Sequence, residues 1–201
     1  MVRATLAFIR APEAGRVKTR LAATLGAEGA LRVYRRLAEH TVREARAVDA
    51  ELRIHFTPAA LEHDVRAWLG DGPRYIPQAG GDLGARMEAA FRAAFADGAE
   101  RVVIVGSDLP DLSAALLRRA FDELDDHPAV LGPARDGGYY LLGMRTMIPG
   151  VFDDVPWSTE EVLANTLERM RAAAIEPALL PTLADVDEAD DLPAGWAEWA
   201  R

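Results

Sequence analysis

The sequence predicts an α/β protein in which helices cover both faces of a mostly parallel sheet, so that the fold has three layers (α/β/α). Short runs rich in apolar and β-branched residues alternate along the chain with longer segments whose apolar residues recur at helical spacing. Half of the 201 residues are apolar, and no linker, repeat or low-complexity tract interrupts the chain. We therefore expect residues 1–201 to form one domain.

The individual elements follow from these two periodicities. Strands are predicted at the apolar runs 4–9, 52–57, 102–105, 129–131 and 139–142. Helical spacing predicts helices over 31–45, 87–95 and 116–124. Another helix is predicted to begin at Ser158, because Ser158 and Glu161 match the S-x-x-E pattern of a capping box. A short last helix is expected to carry Trp196 and Trp199.

Composition excludes several classes of function. The chain has no cysteine, so disulfides, thiolate zinc sites and cysteine nucleophiles are excluded, and the cytoplasm is the expected location. The net charge of −9 disfavours nucleic acid and anionic membrane surfaces as partners. The apolar run at the N-terminus is too short to span a membrane, and no cleavage pattern of a signal peptide follows it.

One segment is basic in spite of the negative net charge. Arg10, Arg16, Lys18 and Arg20 fall within eleven residues after the first predicted strand, and Gly15 permits a backbone turn there. Arginine and lysine neutralise phosphate oxygens, so this loop predicts a phosphate-bearing ligand. The alternative is a solvated basic loop in front of a helix.

A glycine-rich segment precedes the helix over 87–95. Gly80 and Gly81 make a tight backbone surface for a planar base or ribose, and Gln78 offers an amide to the edge of the base. Arg86 is placed to meet a phosphate. The alternative is a plain turn in which Asp82 caps the helix.

Carboxylates mark two positions for a metal ion. Asp108 follows the most strongly apolar strand, and Mg²⁺ prefers one or two carboxylates together with substrate phosphates. Asp111 is assigned to turn geometry, because Ser113 reads as the cap of the next helix. Near the C-terminus, Asp185 and Asp187 project to one side of an extended segment, so that either one is a candidate second ligand.

The segment from Arg135 to Gly138 lies between the last two predicted strands. Arg135 and Asp136 add charged groups, and the paired glycines Gly137 and Gly138 let a ligand approach the backbone, which makes these four residues candidates for binding an acceptor. The alternative is an ordinary turn. Trp157 is a further candidate to close over a substrate, with packing beside the following helix as the alternative.

Five motifs together resemble one known family. They are F-x-R-x-P-x-x-G-x-x-K-T-R-L, Q-x-x-G-D-L-G-x-R-M, G-S-D-x-P-D-L, G-P-A-x-D-G-G-Y-Y-L-L-G and D-V-D-x-x-x-D. This combination resembles the DUF2064 proteins, a bacterial branch of the GT-A nucleotide-diphospho-sugar transferase superfamily, often labelled as glycosyltransferases associated with radical-SAM or arsenosugar genes. The chain is also distantly similar to the guanylyltransferases of cofactor biosynthesis. The resemblance covers nearly the whole chain and implies a Rossmann-like GT-A sheet.

The resemblance also implies roles for particular residues. It places triphosphate binding on Arg10, Gly15, Lys18 and Arg20, base binding on Gln78, Gly80 and Gly81, and the metal, Mg²⁺ or Mn²⁺, on Asp108. Many GT-A glycosyltransferases carry Asp-x-Asp at the strand end, whereas Gly106 stands two residues before Asp108, as in the nucleotidyltransferases.

Three functions follow as hypotheses. In the first, a sugar passes from a nucleoside diphosphate sugar to a small acceptor bound near Arg135 to Gly138, and the cation on Asp108 stabilises the departing diphosphate. In the second, a nucleotidyl group passes from a nucleoside triphosphate to a phosphate or carboxylate acceptor, and pyrophosphate is released. Lys18 and Arg20 then stabilise the leaving group while the cation on Asp108 bridges phosphates. In the third, the protein binds a nucleotide without turning it over. The sequence leaves the oligomeric state undetermined.

Overall fold

The protein is described by a computed structural model for residues 1–193 and Trp196. These residues form one seven-stranded sheet and five α-helices. The strands are β1 (Arg3–Arg10), β2 (Glu51–Thr57), β3 (Arg74–Pro77), β4 (Arg101–Val105), β5 (Ala129–Pro133), β6 (Tyr139–Met144) and β7 (Ala178–Leu179). The helices are α1 (Thr19–Arg46), α2 (Glu62–Leu69), α3 (Leu83–Ala96), α4 (Ala114–Asp126) and α5 (Val162–Ala172).

The sheet has the strand order β3-β2-β1-β4-β6-β5-β7 and is mostly parallel, which confirms the predicted fold class. Only β6 among these strands runs antiparallel to its neighbours, β4 and β5. The reason is local, since a turn of a few residues joins β5 to β6 and a turn that short cannot connect parallel strands. The carboxyl ends of the other six strands therefore lie at one edge of the sheet.

Two cores, one on each face of the sheet, form the three layers. On β1, Ala7 and Ile9 pack against α1, α2 and α4, whereas Ala4 and Leu6 pack against α3 and α5. The alternation follows from the twofold period of a strand, and both faces are apolar because helices cover both. The charged residues are thereby concentrated at the surface and at the loop-bearing edges.

The predicted start of the last long helix is wrong. The helix α5 begins at Val162, and Ser158 has a φ of 68°, which is incompatible with a capping box. The tertiary structure provides the missing partner, because the Gly137 carbonyl accepts a hydrogen bond from the Leu163 N–H at 2.9 Å. The segment in front of α5 therefore turns over the β5–β6 connection instead of extending the helix.

Other elements differ from prediction in extent. The short elements α2, β3 and β7 were not predicted, and α1 begins well before the predicted apolar stripe, with a break at Gly26 (φ 72°, ψ 165°). Trp196 packs against the cluster that contains Leu21 and Val186, whereas Trp199 lies outside the described residues. Within the part of the chain that the structure describes, no helix has the length and apolar character needed to span a bilayer.

Candidate functional site

Two adjoining cavities open at the edge where the parallel strands end. The first, about 460 Å³ in volume and here called the basic cavity, is lined by Arg10, Arg16, Lys18, Arg20 and Gln78, among others. The second, about 510 Å³ and here called the acidic cavity, is lined by carboxylates and aromatic rings. Asp108 and Asp187 belong to both walls, so they lie at the junction of the two cavities.

The topology of the sheet produces this junction. The strands β2 and β3 lie on one side of β1, and β4 lies on the other, so the connections leaving β1 and β4 diverge. A crevice at such a point is the usual ligand site of an open α/β sheet. Lys18 lies in the connection after β1 and Asp108 in the connection after β4, which brings them to opposite sides of the crevice.

A buried tyrosine holds the start of the basic loop. The Tyr34 hydroxyl on α1 accepts a hydrogen bond from the Arg10 N–H at 2.8 Å and donates one to the Arg10 carbonyl at 2.7 Å. Burial and the charge of Asp108 raise the pKa of Tyr34, so it remains a neutral phenol. The exit of the chain from β1 is therefore fixed.

Lys18 makes the central contact of the site. Its ammonium lies 2.8 Å from Oδ2 of Asp108 and 3.0 Å from Oδ1 of Asp187, and its side chain is only 5% exposed. Burial by itself lowers the pKa of Lys18, but the two carboxylates outweigh that effect and raise the pKa above its ordinary value. Lys18 is therefore a permanent cation between two carboxylates.

The remaining carboxylate oxygens of this pair also have donors. Ser107 Oγ lies 3.4 Å from Oδ1 of Asp108, and Arg20 donates to Oδ2 of Asp187 at 3.2 Å. The backbone joins the same two segments, because the Val186 N–H donates to the Asp108 carbonyl at 3.0 Å. This bond holds the C-terminal segment beside β4, and it brings Asp187 rather than Asp185 next to Lys18.

The residues at the junction fit a hard divalent cation that also binds a ligand's phosphates. No group of three or more His, Cys, Asp or Glu side chains among residues 1–193 is arranged as a metal site on its own. Two convergent carboxylates are nevertheless the protein contribution that Mg²⁺ or Mn²⁺ takes when phosphate oxygens and waters complete the shell. Asp108 and Asp187 are the residues that would hold it.

The glycine-rich segment closes the basic cavity on the side of β2. The Gln78 side chain lines the cavity, and its amide nitrogen donates to the His55 carbonyl at 2.9 Å. Asp82 caps α3 by accepting from the Ala85 N–H at 2.9 Å. Arg86 donates to the Gly81 carbonyl at 2.9 Å and lines neither cavity. This segment is thus a braced turn with one amide side chain directed at the site.

The acidic cavity has aromatic walls that depend on close backbone packing. The Trp157 ring lies against Gly84 at the start of α3, where an added Cβ would meet ring atoms at 2.6 Å. At the β5–β6 turn, Gly137 (φ 87°) packs so tightly on the Glu160 backbone that no Cβ fits. These two glycines let the turn before α5 descend over the cavity.

Carboxylates dominate the charge of the acidic cavity. Asp136, Asp185 and Glu160 line it together with Asp108 and Asp187, whereas Arg20 is the one cation among the described residues of that wall. Burial, together with the negative charges of Asp136 and Asp187, raises the pKa of Asp185 above its ordinary value. An anionic group entering this cavity would meet an unfavourable field.

The structure brings most of the predicted site residues to one edge but not all of them into the cavities. Of the nucleotide-binding candidates, Arg10, Lys18, Arg20 and Gln78 line the basic cavity, whereas Gly15, Gly80, Gly81 and Arg86 lie outside both walls. Of the acceptor-binding candidates, Asp136 and Gly138 line the acidic cavity. Gly137 supports the turn from behind, and Arg135 is exposed, with its N–H bonded to the Leu183 carbonyl at 3.0 Å.

Sequence reasoning missed several residues that line the cavities, among them Glu160 of the acidic cavity. Phe8 lines both cavities, and Tyr34 and Met87 line one each, yet the last two were assigned to the apolar stripes of helices. For Tyr34 a signal existed, since a tyrosine in an otherwise apolar stripe needs a partner for its hydroxyl.

The fold and the site together define the class of protein: a GT-A type sheet of the kind shared by nucleotide-sugar transferases and nucleotidyltransferases, with a basic crevice at its switch point. The particular family is equally plain. Residues 40–159 match the family described as "Uncharacterized protein conserved in bacteria (DUF2064)", and the chain belongs to it, as its motifs predict.

Solved structures agree with this assignment. A "putative nucleotide-diphospho-sugar transferase" from Desulfovibrio desulfuricans G20 is 40% identical, with a TM-score of 0.90 over 94% of this chain and 84% of that chain. CMP:2-keto-3-deoxy-manno-octonic acid synthetase complexed with CTP is 15% identical, with a TM-score of 0.62 over 100% of this chain and 99% of that chain.

A synthase that binds UDP shares the fold as well. Glucosyl-3-phosphoglycerate synthase from Mycobacterium tuberculosis, in complex with Mn²⁺, UDP and glucosyl-3-phosphoglycerate, is 14% identical, with a TM-score of 0.55 over 98% of this chain and 76% of that chain. At such low identity it and the CMP-sugar synthetase are similar in fold alone. No curated protein matches this chain.

Proposed function

We propose that this protein transfers a sugar from a nucleoside diphosphate sugar to a small acceptor, with Mg²⁺ or Mn²⁺ as cofactor. The observation that carries the proposal is the opposite charge of two adjoining cavities whose junction is a carboxylate pair. The diphosphate would bind to the cations of the basic cavity. The sugar would contact the carboxylates and aromatic rings of the acidic cavity. The bond to be broken then lies beside Asp108 and Asp187.

Each residue has a task in this reaction. Lys18 and Arg20 stabilise the diphosphate as the sugar–oxygen bond breaks and that oxygen keeps the electron pair. Asp108 and Asp187 would hold a divalent cation that supplies further neutralisation of the same charge. The acceptor hydroxyl enters from the side of Asp136 and Gly138, and its oxygen forms the new bond to the sugar carbon that the diphosphate leaves. Asp185, whose raised pKa makes it a better base, accepts the proton that the hydroxyl loses.

A second candidate is nucleotidyl transfer from a nucleoside triphosphate to a phosphate or carboxylate acceptor. The specific observation in its favour is the number of cations in the basic cavity, since four exceed what a diphosphate requires. The acidic cavity opposes it, because an anionic acceptor would have to approach Asp136, Asp185 and Glu160.

The released product distinguishes the candidates. Purified protein is first screened by thermal shift with nucleoside triphosphates, diphosphates and diphosphate sugars, each with and without Mn²⁺, since a ligand at about one hundred times its Kd adds about 2.7 kcal/mol. The stabilising donor is then incubated with panels of neutral, cationic and anionic acceptors. We expect release of a nucleoside diphosphate. Release of pyrophosphate from a triphosphate would establish nucleotidyl transfer instead, and binding without product would indicate a nucleotide-binding protein.

We also propose that residues 1–201 work as a single domain. The junction combines Lys18 from the first connection, Asp108 from the middle of the chain and Asp187 from its end, so no contiguous half of the chain contains the site. The predicted location, the cytoplasm, is tested by cell fractionation.

A further inference from the structure

We propose that the Lys18 ammonium and a divalent cation compete for the carboxylates of Asp108 and Asp187. The cation therefore binds tightly only together with a diphosphate, whose phosphate oxygens pair with the ammonium in place of the carboxylates. This inference concerns the order and coupling of binding at the proposed active site, and its second half rests on the proposed function. Its first half, the competition itself, concerns only the protein and the metal.

The Lys18 ammonium lies between the two carboxylates that would hold the cation. The ammonium contacts one oxygen of each carboxylate, at 2.8 and 3.0 Å, which are the oxygens that a cation shared between Asp108 and Asp187 would use. The other two oxygens face Ser107 and Arg20. Each of the four oxygens thus already faces a donor, so a divalent cation shared by both carboxylates would compete with at least one of these donors.

The charge of Lys18 repels a divalent cation that binds beside it. Two carboxylates and one ammonium leave a net charge of −1. The Lys18 side chain is 5% exposed and each carboxylate 41%, so water screens the carboxylates in part but the ammonium little. A divalent cation bound between the carboxylates would lie within a few ångströms of a second, poorly solvated cation. The repulsion lowers metal affinity for as long as Lys18 stays in place.

The backbone conformation of Lys18 fixes where its side chain starts. Lys18 has φ 47° and ψ 52°, a left-handed conformation that side-chain-bearing residues rarely adopt. The fold holds it there, because the Lys18 carbonyl accepts from the Ala22 N–H at 2.9 Å in the first turn of α1. The side chain therefore starts from a fixed point in the wall of the basic cavity, from which the ammonium can pair with phosphate oxygens.

These steps make the metal and the diphosphate mutually dependent ligands. The diphosphate offers the ammonium new anionic partners. When the ammonium pairs with them, the carboxylates become free to bind the cation, and the cation in turn would neutralise the diphosphate. Because coupling between binding sites is reciprocal, each ligand raises the affinity for the other by the same factor.

The experiment measures Mn²⁺ binding from the electron paramagnetic resonance signal of free Mn²⁺, first without nucleotide. We expect wild-type protein to bind Mn²⁺ only in the millimolar range and Lys18→Met to bind it about tenfold tighter or more. Arg20→Met is the matched control, since Arg20 carries the same charge but contacts only Asp187 and is 72% exposed. Its effect should stay below about threefold.

Three results would overturn the competition. They are unchanged Mn²⁺ affinity in folded Lys18→Met, an equal gain in Arg20→Met, which would indicate a general charge effect, and micromolar binding by wild-type protein without nucleotide. The last result needs only wild-type protein, so it would overturn the competition even if Lys18→Met did not fold. Circular dichroism checks the folding of Lys18→Met.

A second series adds UDP, ADP, GDP or CDP. With the diphosphate that binds, wild-type Mn²⁺ affinity should rise about tenfold or more, and Lys18→Met should lose most of this gain. An additive response in wild type would overturn the coupling. If none of the four diphosphates binds, the proposed function fails, while the competition measured without nucleotide stands or falls separately.

Discussion

At the scale of single residues, the charged groups at the junction are those to which we assign the chemistry, and their neighbours set their charge. Lys18 keeps its proton because two carboxylates flank it, and Asp185 holds its proton more tightly than usual because it is half-buried near Asp136 and Asp187. From the sequence, Asp185 and Asp187 were equal candidates for the second metal ligand. The structure separates them, because only Asp187 reaches Lys18.

Replacing these two aspartates one at a time tests that separation. We expect Asp187→Asn to lower kcat/KM about 100-fold or more and to raise the Mn²⁺ concentration needed for half-maximal rate, because it removes one of two carboxylates from the cation. Asp185→Asn should lower the rate without changing the Mn²⁺ requirement. A shifted Mn²⁺ requirement in Asp185→Asn alone would assign the metal to Asp185.

A buried histidine makes stability depend on pH. His55 on β2 stacks on Phe8, with ring centroids 5.4 Å apart, and burial together with the charges of Arg53 and Arg74 lowers its pKa to about 4. The unfolded chain, with a histidine pKa of about 6.5, binds the proton first as the pH falls. Between pH 7 and pH 5 the free energy of unfolding should fall by about 2 kcal/mol on this account.

The control for this effect is His55→Phe, which keeps a ring against Phe8 but does not titrate. Urea unfolding of both proteins at several pH values between 7 and 5 gives the two slopes. The slope of the variant should be smaller, since His40, His63 and His127 are common to both proteins. Parallel curves would show that His55 does not contribute.

At the scale of elements, the connections rather than the strands shape the acidic cavity. The strands were predictable because β4 and β1 are continuous apolar runs, whereas the start of α5 was not, since the bond that caps it comes from Gly137, 26 residues earlier than Leu163. Local pattern cannot contain a partner that is distant in sequence. The same limit hid the contact of Trp157 with Gly84, which joins the segment before α5 to α3.

Gly137→Ala tests the connection between the β5–β6 turn and α5. The added methyl group would overlap the Glu160 backbone at a φ of 87°, so both elements must shift, and we expect a loss of about 3 kcal/mol together with weaker sugar binding. Gly15→Ala is the matched control, because its φ is 72° but nothing lies within 4 Å of the added Cβ, so that strain alone costs about 1 kcal/mol. Equal losses in urea denaturation would contradict the packing argument.

At the scale of the whole molecule, one sheet carries both cores, and residues from all five sequence motifs line the cavities at one of its edges. The protein is anionic overall, yet one cavity is basic because its cations come from a single segment, which runs from the end of β1 to the first turn of α1. Local concentration of charge, not net charge, therefore determines which ligand the crevice attracts.

The single-domain proposal predicts cooperative unfolding. Trp68 packs with the core on one face of the sheet and Trp157 with the core on the other, so tryptophan fluorescence reports on both faces. Urea transitions followed by fluorescence, in Trp68→Phe and Trp157→Phe as well as in wild type, should coincide with the transition followed by circular dichroism. Separate midpoints would show that the two faces unfold independently.

The sequence by itself determined the fold class, the main strands, the family and the chemical character of the site, because apolar periodicity and clusters of like residues are local properties of the chain. Tertiary structure decided how those residues are combined: Asp187 beside Lys18, two cavities of opposite charge, and a helix capped by a distant carbonyl. These depend on which loops meet at the sheet edge, and strand order, which is set by packing over long separations, controls that meeting.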